Sequence, residues 1–406
     1  MTQGRRRPWV TIVSYVVAFH VLLAYGLPGG VLLLLAVAAG ILYVRVGALG
    51  AVAVTFTFVT ITLLYSLALT LTGFENAIYF RPDERLSTFD YRHNHRIFRP
   101  GARLDMHMPQ GDLQSMTSIK IAQPRDVSYR IDSYGFRNDA DYVGQKYLLV
   151  GDSFVVGTGN TQADMISAQL AQGYGISAYN LAHPGDVPDY AQYVAGFKAS
   201  HPTGAKLLVF IFEGNDFVAS RTKKRSALSL FFKRYSNLFS DTNVFRVTKS
   251  LYARAKRSSQ IADSEYLIIA DIHGKKIAFL QRYAEVARQT SQPPIESFER
   301  AVGDMGADIE RIFFIPTKYR VYHQYIEPGK DLPNAAWEYL KGVCQKNNLQ
   351  CTNLTPPLIK ATDELLAQGE MTWWRDDTHW NRYGMAVAAR VVAADLGAPS
   401  SKEKPR

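Results

Sequence analysis

Two hydrophobic patterns divide the chain. From Pro8 to Gly73 apolar residues run almost without interruption, and Arg45 is the only formal charge. After about position 140, apolar runs of strand length alternate with longer stretches that have a helical period. The first pattern is too long and too apolar for a core element of a soluble domain, so it predicts membrane helices. The second predicts an α/β domain.

The apolar region, residues 1–75, is punctuated by a Pro-Gly-Gly turn at 28–30 and by Arg45 with Gly47. We expect three transmembrane helices, near residues 9–26, 28–44 and 47–72. The middle one reaches only about 26 Å, close to the lower limit for a bilayer, so two spans also fit. A cleaved signal peptide is a weaker alternative, because it would leave two apolar runs unexplained.

Basic residues flanking the predicted spans give their orientation. Arg5, Arg6 and Arg7 precede the first span, and Arg45 lies between the second and the third. Because cytoplasmic loops are enriched in Lys and Arg, three spans place the N-terminus in the cytoplasm and everything after Phe74 outside it. We therefore expect a multi-pass protein of the inner (cytoplasmic) membrane with a periplasmic, extracytoplasmic main domain.

The main domain, predicted at residues 141–398, contains five continuous apolar runs of strand length. They lie at residues 147–150, 176–181, 207–212, 312–315 and 349–354, and a helix is expected at Met385 to Leu396. Strands buried on both faces are typical of a parallel sheet covered by helices. The fold class is therefore α/β, a three-layer α/β/α sandwich with a central five-stranded parallel sheet. Residues 399–406 are expected to form a disordered tail.

Residues 76–140 have a different character, with short polar segments and many turn residues. Alternation from Val127 to Asp132 predicts a strand, and Ser133 to Asn138 reads as a tight turn leading to the first core strand. We interpret this region as an extracytoplasmic connector that packs on the main domain, and we assign it no chemistry.

Four short motifs carry residue types that ester chemistry requires, and each follows a predicted strand. A hydroxyl nucleophile, Ser153, follows the first strand, and His379, preceded by carboxylates, lies after the last. Gly185 and Asn215 follow the second and third strands and could donate hydrogen bonds to an oxyanion. Because the carboxyl ends of parallel strands share one edge, we expect these motifs to converge. Taken alone, Ser153 would be better explained as a helix N-cap.

In this order the motifs resemble those of the SGNH (GDSL-type) hydrolase superfamily, over roughly residues 140–398. The matching stretches are Gly151-Asp152-Ser153-Phe154, the segment 180–185, Gly214-Asn215-Asp216 and the segment 376–381. The resemblance implies that Ser153 is the nucleophile and His379 the base. It also implies an oxyanion hole formed by the backbone amides of Ser153 and Gly185 and the side chain of Asn215. It implies no cofactor.

Two aspartates compete to orient His379. SGNH hydrolases generally use the residue three positions before the histidine, which is Asp376. The string Asp377-Thr378-His379-Trp380, however, resembles the signature of alginate O-acetylation proteins, where the carboxylate lies two positions before. We favour Asp377 and expect Asp376 to cap the following helix or to lie in solvent. We expect no metal site, since no second His or Cys group lies nearby at ligand spacing.

Other features bear on the substrate. Trp374 and Trp380 flank the histidine, and flat aromatic rings suit the binding of sugars, although buried aromatics more often belong to a core. The segment 315–322 resembles one found after a core strand in exported polysaccharide-acetylation proteins.

Cys344 and Cys351 are the only cysteines, and they either form a disulfide or remain as buried thiols.

Positive charge is concentrated in a predicted insertion at residues 217–260. It contains eleven Lys and Arg and one acid, Asp241, so its net charge of +10 equals that of the whole chain. Its amphipathic pattern fits a lid or solvated face, a surface helix on anionic lipid, or a face for an acidic glycan. Nucleic acid is disfavoured as a partner, because the domain is predicted to lie outside the cytoplasm.

Together these patterns predict a membrane-anchored serine-dependent O-acyl, most specifically O-acetyl, transferase or esterase that acts on a cell-surface or exported carbohydrate. The expected partners are a polysaccharide or glycan substrate, the lipid bilayer and, by resemblance, a membrane-bound O-acyltransferase that supplies acetyl groups. The alternatives are a simple SGNH esterase or lipase and a catalytically silent carbohydrate-binding scaffold subunit.

Overall fold

A computed structural model describes residues 81–90, 95–117, 119–217 and 263–398, with a few positions between 50 and 71. Among the described residues, no helix combines the length and the apolar character needed to cross a bilayer. The predicted spans, most of the insertion 217–260 and the predicted tail 399–406 lie wholly or almost wholly outside the described residues. The chain groups into two compact units, residues 1–79 with 222–260 and residues 80–221 with 261–406.

The second unit contains the strands and helices named here. The strands of its described residues are β1 (Ser87–Asp90), β2 (His95–Phe98), β3 (Arg103–Met108), β4 (Arg125–Arg130), β5 (Tyr147–Val150), β6 (Ala178–Asn180), β7 (Lys206–Phe212), β8 (Leu267–Ile272), β9 (Lys275–Leu280), β10 (Ile309–Ile315) and β11 (Cys351–Asn353). The helices are α1 (Pro82–Leu86), α2 (Asp112–Met116), α3 (Ser153–Val156), α4 (Ile166–Tyr174), α5 (Val187–Ser200), α6 (Asp263–Tyr266), α7 (Gln281–Ala287), α8 (Glu296–Met305), α9 (Lys318–Ile326), α10 (Ala335–Lys346), α11 (Thr355–Leu366) and α12 (Arg382–Asp395).

A five-stranded parallel sheet forms the centre of this unit, in the order β11-β10-β7-β5-β6. Each of the five predicted apolar runs overlaps one of its strands, so the predicted five-stranded parallel sheet is confirmed, although β10 begins three residues before its predicted run. Strand order reverses between β5 and β7, the first and third strands along the chain. In open parallel sheets, ligands bind outside the carboxyl ends of the strands at such a reversal.

Alternate residues of the sheet face opposite cores. On β5, Leu149 packs into the core that includes residues of α4, α9, α11 and α12, whereas Leu148 and Val150 pack against α5, α8 and α10. The inner strands β5, β7 and β10 are mostly buried on both faces, which explains why they read as continuous apolar runs in the sequence. The predicted arrangement of a sheet between two helical layers is therefore present.

Side-chain caps fix the first residues of two helices that follow the loops at the carboxyl end of the sheet. Asp186 and Asp189 form a reciprocal capping box at the start of α5. Asn381 caps α12 by accepting hydrogen bonds from the amides of Tyr383 and Gly384. A cap fixes the residue at which a helix begins. The helix predicted to start at Met385 therefore starts three residues earlier, directly after the histidine turn.

The connector packs on the main domain through the antiparallel pair β3 and β4. The predicted strand at 127–132 overlaps β4, and the predicted turn follows it. Arg137, in that turn, is fully buried. Its guanidinium donates to the backbone carbonyls of Val156, the last residue of α3, and of Asn160 in the loop that follows. It also lies over the ring of Tyr129, 3.4 Å from its centroid. One buried cation thus fastens the connector to the loop that follows Ser153.

Candidate active site

Ser153 lies on a tight turn between β5 and α3. A side chain at Gly151 would meet Val155 at 2.6 Å, so glycine is required there. Asp152 caps α3 by accepting from the amide of Phe154 at 2.9 Å. Ser153 is therefore the first residue of the helix and not its cap. The first amide of a helix has no partner within the helix, which leaves the N–H of Ser153 available for an oxyanion.

His379 reaches Ser153 across 226 residues of sequence. Its Nε2 lies 2.8 Å from the Oγ of Ser153. On the other side of the ring, Nδ1 lies 2.8 Å from Oδ1 of Asp377, and the same oxygen accepts from the backbone amide of His379. An Nδ1–H that donates to a carboxylate leaves Nε2 with a lone pair facing the hydroxyl. This is the tautomer that a general base requires.

The charges of this pair stabilise each other. Burial alone would lower the pKa of His379, but the hydrogen bond to Asp377 and the charges of Asp377 and Asp112 raise it above its usual value. Burial alone would raise the pKa of Asp377, but His379 and the guanidinium groups of Arg125 and Arg81 hold it well below its usual range. Asp377 is therefore ionised at neutral pH and favours a positive charge on the imidazole.

Asp376 does not contact the imidazole. Its carboxylate is fully buried and accepts hydrogen bonds from the amides of Gly111 and Gln123 at 2.7 and 2.8 Å, and from Arg125 at 3.2 Å. The expectation that Asp376 caps the next helix or lies in solvent is wrong, because Asn381 supplies the cap and the connector covers the carboxylate. Asp376 is a structural acceptor that holds the connector.

The three residues proposed for the oxyanion hole follow the first three strands of the sheet along the chain, and all three are half-buried. A side chain at Gly185 would meet Asp189 of the capping box at 2.8 Å, so glycine is required. The side-chain amide of Asn215 lies near Asp152 and lowers the pKa of its carboxyl group against the effect of burial. An amide NH₂ group has two donors and does not titrate, which suits the stabilisation of an oxyanion.

A buried acidic pair lies beneath these loops. Burial raises the pKa of Asp152 to about 6. Burial and the charge of Asp152 also raise the pKa of Asp216, whose carboxylate accepts from the hydroxyl of Tyr190 and from the amide of Phe212 at 2.7 Å. The hydrogen bond from Phe212 to Asp216 closes the turn that carries Asn215, and Asp152 caps the helix that begins at Ser153. The two aspartates therefore stabilise the loops that carry the proposed site residues.

The first residue of α9, Lys318, binds backbone carbonyls of the histidine turn. The ammonium group of Lys318 is buried, and Nζ donates to the carbonyls of Ala278, Trp374, Arg375 and Asp377 at 2.7 to 3.2 Å. Burial lowers the pKa of Lys318 to about 7, although nearby carboxylates oppose this shift. An ammonium group has three protons, so its donors are fully engaged. Lys318 thereby fixes the backbone on which Asp377 stands.

The same segment also holds the Asn215 turn. Glu213, two residues before Asn215, accepts from the amide and hydroxyl of Thr317 at 2.9 and 3.0 Å, and from the guanidinium of Arg320 at 2.5 to 3.0 Å. Both charged side chains are buried. The segment 315–322, singled out in the sequence without a role, thus joins the turns that carry Asn215 and His379.

The two tryptophans predicted to bind a sugar differ. Trp380 is fully buried, and its Nε1 donates to the carbonyl of Phe154. Its ring belongs to the core under the histidine turn and presents no face to a ligand, so the prediction of direct substrate contact is not supported for Trp380. Trp374 is half-buried and lies against the guanidinium of Arg125, 4.4 Å from the ring centroid.

Comparison with known families identifies the C-terminal part of this fold. Residues 279–405 match the SGNH hydrolase-like domain of the acetyltransferase AlgX. No curated protein matches the chain. The predicted resemblance to alginate O-acetylation proteins is confirmed over this AlgX-like segment, residues 279–405.

The AlgX-like segment contains the histidine turn and the start of α9. His379, Asp377 and Lys318 therefore lie within the matched residues, whereas Ser153 and Asn215 lie before them. The match supports a domain of the acetyltransferase or hydrolase type. The hydrogen bond between Ser153 and His379 joins the AlgX-like segment to the strands that precede it.

No sequence pattern indicated that connector residues surround the histidine turn. Arg125 of β4 pairs with Asp377 at 2.7 Å and with Asp376 at 3.2 Å. Asp112 of α2 accepts from the amide and hydroxyl of Thr378 at 2.8 and 2.6 Å. These contacts span more than 250 residues and have no local pattern. The interpretation of the connector as free of chemistry is therefore incomplete, because it supplies charged groups to the histidine turn.

Among the described residues, one cluster has the spacing of a metal site, namely Asp112, Asp377 and His379, whose ligand atoms lie within 4.8 Å of one another. Their contacts do not favour a cation. Nδ1 of His379 is engaged by Asp377, and each carboxylate already pairs with a guanidinium, Arg125 or Arg81. Two positive groups beside the cluster oppose a further positive charge. The arrangement fits a proton-transfer site better than a metal site.

Proposed function

We propose that this protein is a membrane-anchored serine enzyme that transfers or hydrolyses O-acetyl groups of a cell-surface or exported carbohydrate through an acyl-enzyme. The observation that supports this most strongly is the chain of hydrogen bonds from Ser153 through His379 to Asp377, with both links at 2.8 Å. The AlgX-like segment supports acetyl chemistry and, through the name of that family, a transferase.

In the proposed reaction, the Oγ of Ser153 attacks the carbonyl carbon of an acetyl ester while Nε2 of His379 takes the hydroxyl proton. The amides of Ser153 and Gly185 and the side chain of Asn215 stabilise the oxyanion. His379 then returns the proton to the leaving oxygen of the donor, which gives acetyl-Ser153. A sugar hydroxyl or water next loses its proton to His379 and attacks the acetyl carbonyl. The tetrahedral adduct then expels the Oγ of Ser153, which takes the proton back from His379, and the acetylated sugar or acetate leaves the regenerated enzyme.

The nucleophile is tested by labelling the full-length protein in detergent with a fluorophosphonate, which reacts with activated serines. Wild type is expected to be labelled at Ser153, and Ser153→Ala is expected to remain unlabelled. Ser133→Ala serves as a control because Ser133 is exposed in the connector turn and its hydroxyl donates to Asp141. Equal labelling of wild type and Ser153→Ala would refute the proposed nucleophile.

Transfer and hydrolysis share the acyl-enzyme and differ in the hydroxyl that resolves it. Purified protein is supplied with an acetyl ester donor and an oligosaccharide, and mass spectrometry follows both products. An acetylated oligosaccharide indicates transfer, and free acetate alone indicates hydrolysis. If Ser153→Ala produces as much of either product as wild type does, the function as a serine enzyme is rejected and the alternative of a carbohydrate-binding scaffold gains support.

Membrane anchoring is part of the proposal and rests on the apolar region of the sequence. Only Arg45 interrupts its charge-free run, which favours membrane spans, and three spans with a cytoplasmic N-terminus place the catalytic domain in the periplasm. The protein is expected to stay in the membrane pellet after carbonate washing. A membrane-bound O-acyltransferase is the proposed source of acetyl groups, and anionic lipid or an acidic glycan is the proposed partner of the basic insertion 217–260.

A further inference from the structure

The first turn of α2 lies directly over the histidine turn. The amide of Asp112 donates to Oδ2 of Asp377 at 3.2 Å, and the amide of Leu113 donates to the carbonyl of Asp376 at 3.1 Å. With the bond from Gly111 to the carboxylate of Asp376, three successive amides of the connector bind two successive aspartates. The position of the Asp112 side chain is therefore fixed relative to His379.

The carboxylate of Asp112 faces the side of the imidazole that binds Asp377. It is fully buried, and its Oδ2 lies 3.9 Å from Nδ1 of His379. The hydroxyl of Thr378 donates to Oδ2 of Asp112 at 2.6 Å, and the oxygen of that hydroxyl lies 3.2 Å from Nδ1. Because the hydroxyl proton is directed to Asp112, its oxygen presents lone pairs to Nδ1. In addition to Asp377, Nδ1 thus has two electronegative neighbours, the hydroxyl oxygen of Thr378 and the carboxylate of Asp112.

A guanidinium accompanies each carboxylate. Asp377 pairs with Arg125 at 2.7 Å, and Asp112 pairs with Arg81 at 2.5 Å. The side chain of Arg125 is 5% exposed, whereas that of Arg81 is 26% exposed. Arg81 is therefore the member of the two pairs that lies closer to solvent. Part of the charge of Asp377 is balanced by Arg125, so a second carboxylate adds to the field at the imidazole.

We infer that Asp112 is a positioning residue that stabilises the charged form of His379, and that Arg81 tempers this effect, so that the connector tunes the proposed base. This inference rests on the proposed function for its catalytic meaning. It makes Asp112 and Arg81 a pair with opposite effects on the same imidazole. A purely structural role for the pair would give no such opposition.

Other charged groups also face His379 from neighbouring elements. Arg125 of β4 and Lys318 of α9 adjoin the histidine turn, Asp152 lies next to Ser153, and Asp377 binds Nδ1 directly. All of these stay unchanged when Asp112 or Arg81 is replaced. A difference in the titration of His379 between the two replacements therefore reports on Asp112 and Arg81 and not on the other charged groups.

The test measures His379 directly and does not need turnover. Full-length protein in detergent is labelled with ¹³C at the histidine ring carbons, and His379→Ala assigns the resonance. In Asp112→Asn the titration of His379 is expected to move by about one pH unit to lower pH, because a negative neighbour is lost. In Arg81→Gln it is expected to move to higher pH, because Asp112 is then unbalanced. Arg81→Lys, which keeps the charge, is expected to stay near wild type.

An exposed pair of the same connector provides matched controls. Arg130 lies 2.9 Å from Asp105, and the two side chains are 31% and 66% exposed. Asp105→Asn and Arg130→Gln are expected to leave the titration of His379 in place. Thermal melting of each variant reports on folding. Shifts of the same sign in Asp112→Asn and Arg81→Gln, or no shift in folded variants, would overturn the inference.

A kinetic arm separates this inference from the proposed function. The pH profile of fluorophosphonate labelling is expected to show its acid limb displaced in the same directions, since only neutral His379 acts as a base. A failure of wild type to label at Ser153 would count against the proposed function while the titration still decides the role of Asp112. Normal labelling with unmoved titrations would count against Asp112 alone.

Discussion

At the scale of the residue, adjacent aspartates in one turn have different tasks because their surroundings differ. Asp377 binds the imidazole, while Asp376 binds backbone amides of the connector. Both are buried and both contact Arg125. The direction in which each side chain leaves the turn therefore decides its role, and residue type does not.

We expect Asp377→Asn to fold and to lose most of its activity. The amide would favour the wrong tautomer of His379 and would no longer stabilise the imidazolium, which costs roughly 10⁴-fold in kcat at comparable sites. Hydrolysis of a chromogenic acetyl ester measures the loss. In Asp376→Asn we expect less than about a tenfold loss, together with a lower melting temperature. A larger loss of kcat in Asp376→Asn than in Asp377→Asn would contradict these assignments.

The pH dependence of stability follows from the same carboxylate. The pKa of Asp377 lies below its unfolded value, so its contribution to stability is present above about pH 4 and is lost as the pH falls below that. Denaturant unfolding of wild type is therefore expected to show declining stability below about pH 4. Asp377→Asn is expected to decline less steeply over that range. Parallel curves would show that the carboxylate is not stabilised by folding.

At the scale of the element, one short segment supports two loops. The start of α9 provides Lys318 to the histidine turn, and Thr317 and Arg320 to Glu213 before the Asn215 turn. Both loops lie at the carboxyl edge of the sheet, where β10 leads directly into this helix. A shift of α9 would therefore displace the proposed base and a proposed oxyanion donor together.

We expect Lys318→Met to lower stability by about 3 kcal/mol, because buried carbonyls lose their donor. Activity is expected to fall with it, since the backbone of Asp377 is no longer held. Lys341→Met is the control, because Lys341 is half exposed on α10. Chemical denaturation measures the free energy of unfolding of both variants.

The folded-state pKa of Lys318, about 7, lies below its unfolded value. The free energy of unfolding of wild type is therefore expected to rise relative to that of Lys318→Met between about pH 7 and 10.

The two cysteines join α10 to β11. They form a disulfide with a Cα separation of 6.3 Å, which decides between the two readings that the sequence left open. Closing this short loop restricts the unfolded chain and contributes about 2 kcal/mol. The double replacement of Cys344 and Cys351 by Ala is expected to lower the denaturation midpoint accordingly, and dithiothreitol is expected to lower that of wild type alone. Equal sensitivity of both proteins to reductant would contradict the disulfide.

At the scale of the molecule, the connector and the main domain form one working unit. Arg125 extends from β4 to both aspartates of the histidine turn and to the carbonyl of Gly159 in the loop after α3. It thereby touches the segments that follow Ser153 and precede His379. Regions that are separate in the sequence share one buried charge network.

We expect Arg125→Met to be the most damaging replacement in the connector. Two buried carboxylates would lose their counter-charge, which costs about 3 to 5 kcal/mol. The variant is expected to unfold at milder denaturant concentration than wild type, and to lose esterase activity under conditions in which it remains folded. Arg130→Gln on the same strand is the control, because its partner Asp105 is exposed. Similar midpoints for the two variants would show that the network does not couple the regions.

The sequence by itself determined the parallel sheet, because strands buried on both faces must be continuously apolar, and it indicated Ser153 and His379, because their motifs follow strand ends. It did not determine the role of Asp376, the burial of Trp380, or the charges that Asp112, Arg125 and Lys318 bring to one turn. Those depend on contacts between residues far apart in the chain, and on the direction of each side chain after packing. Local sequence patterns show hydrophobic periodicity and helix-capping residues, which predict strands and helices. Pairs between distant charges form only when the folded chain brings those residues together.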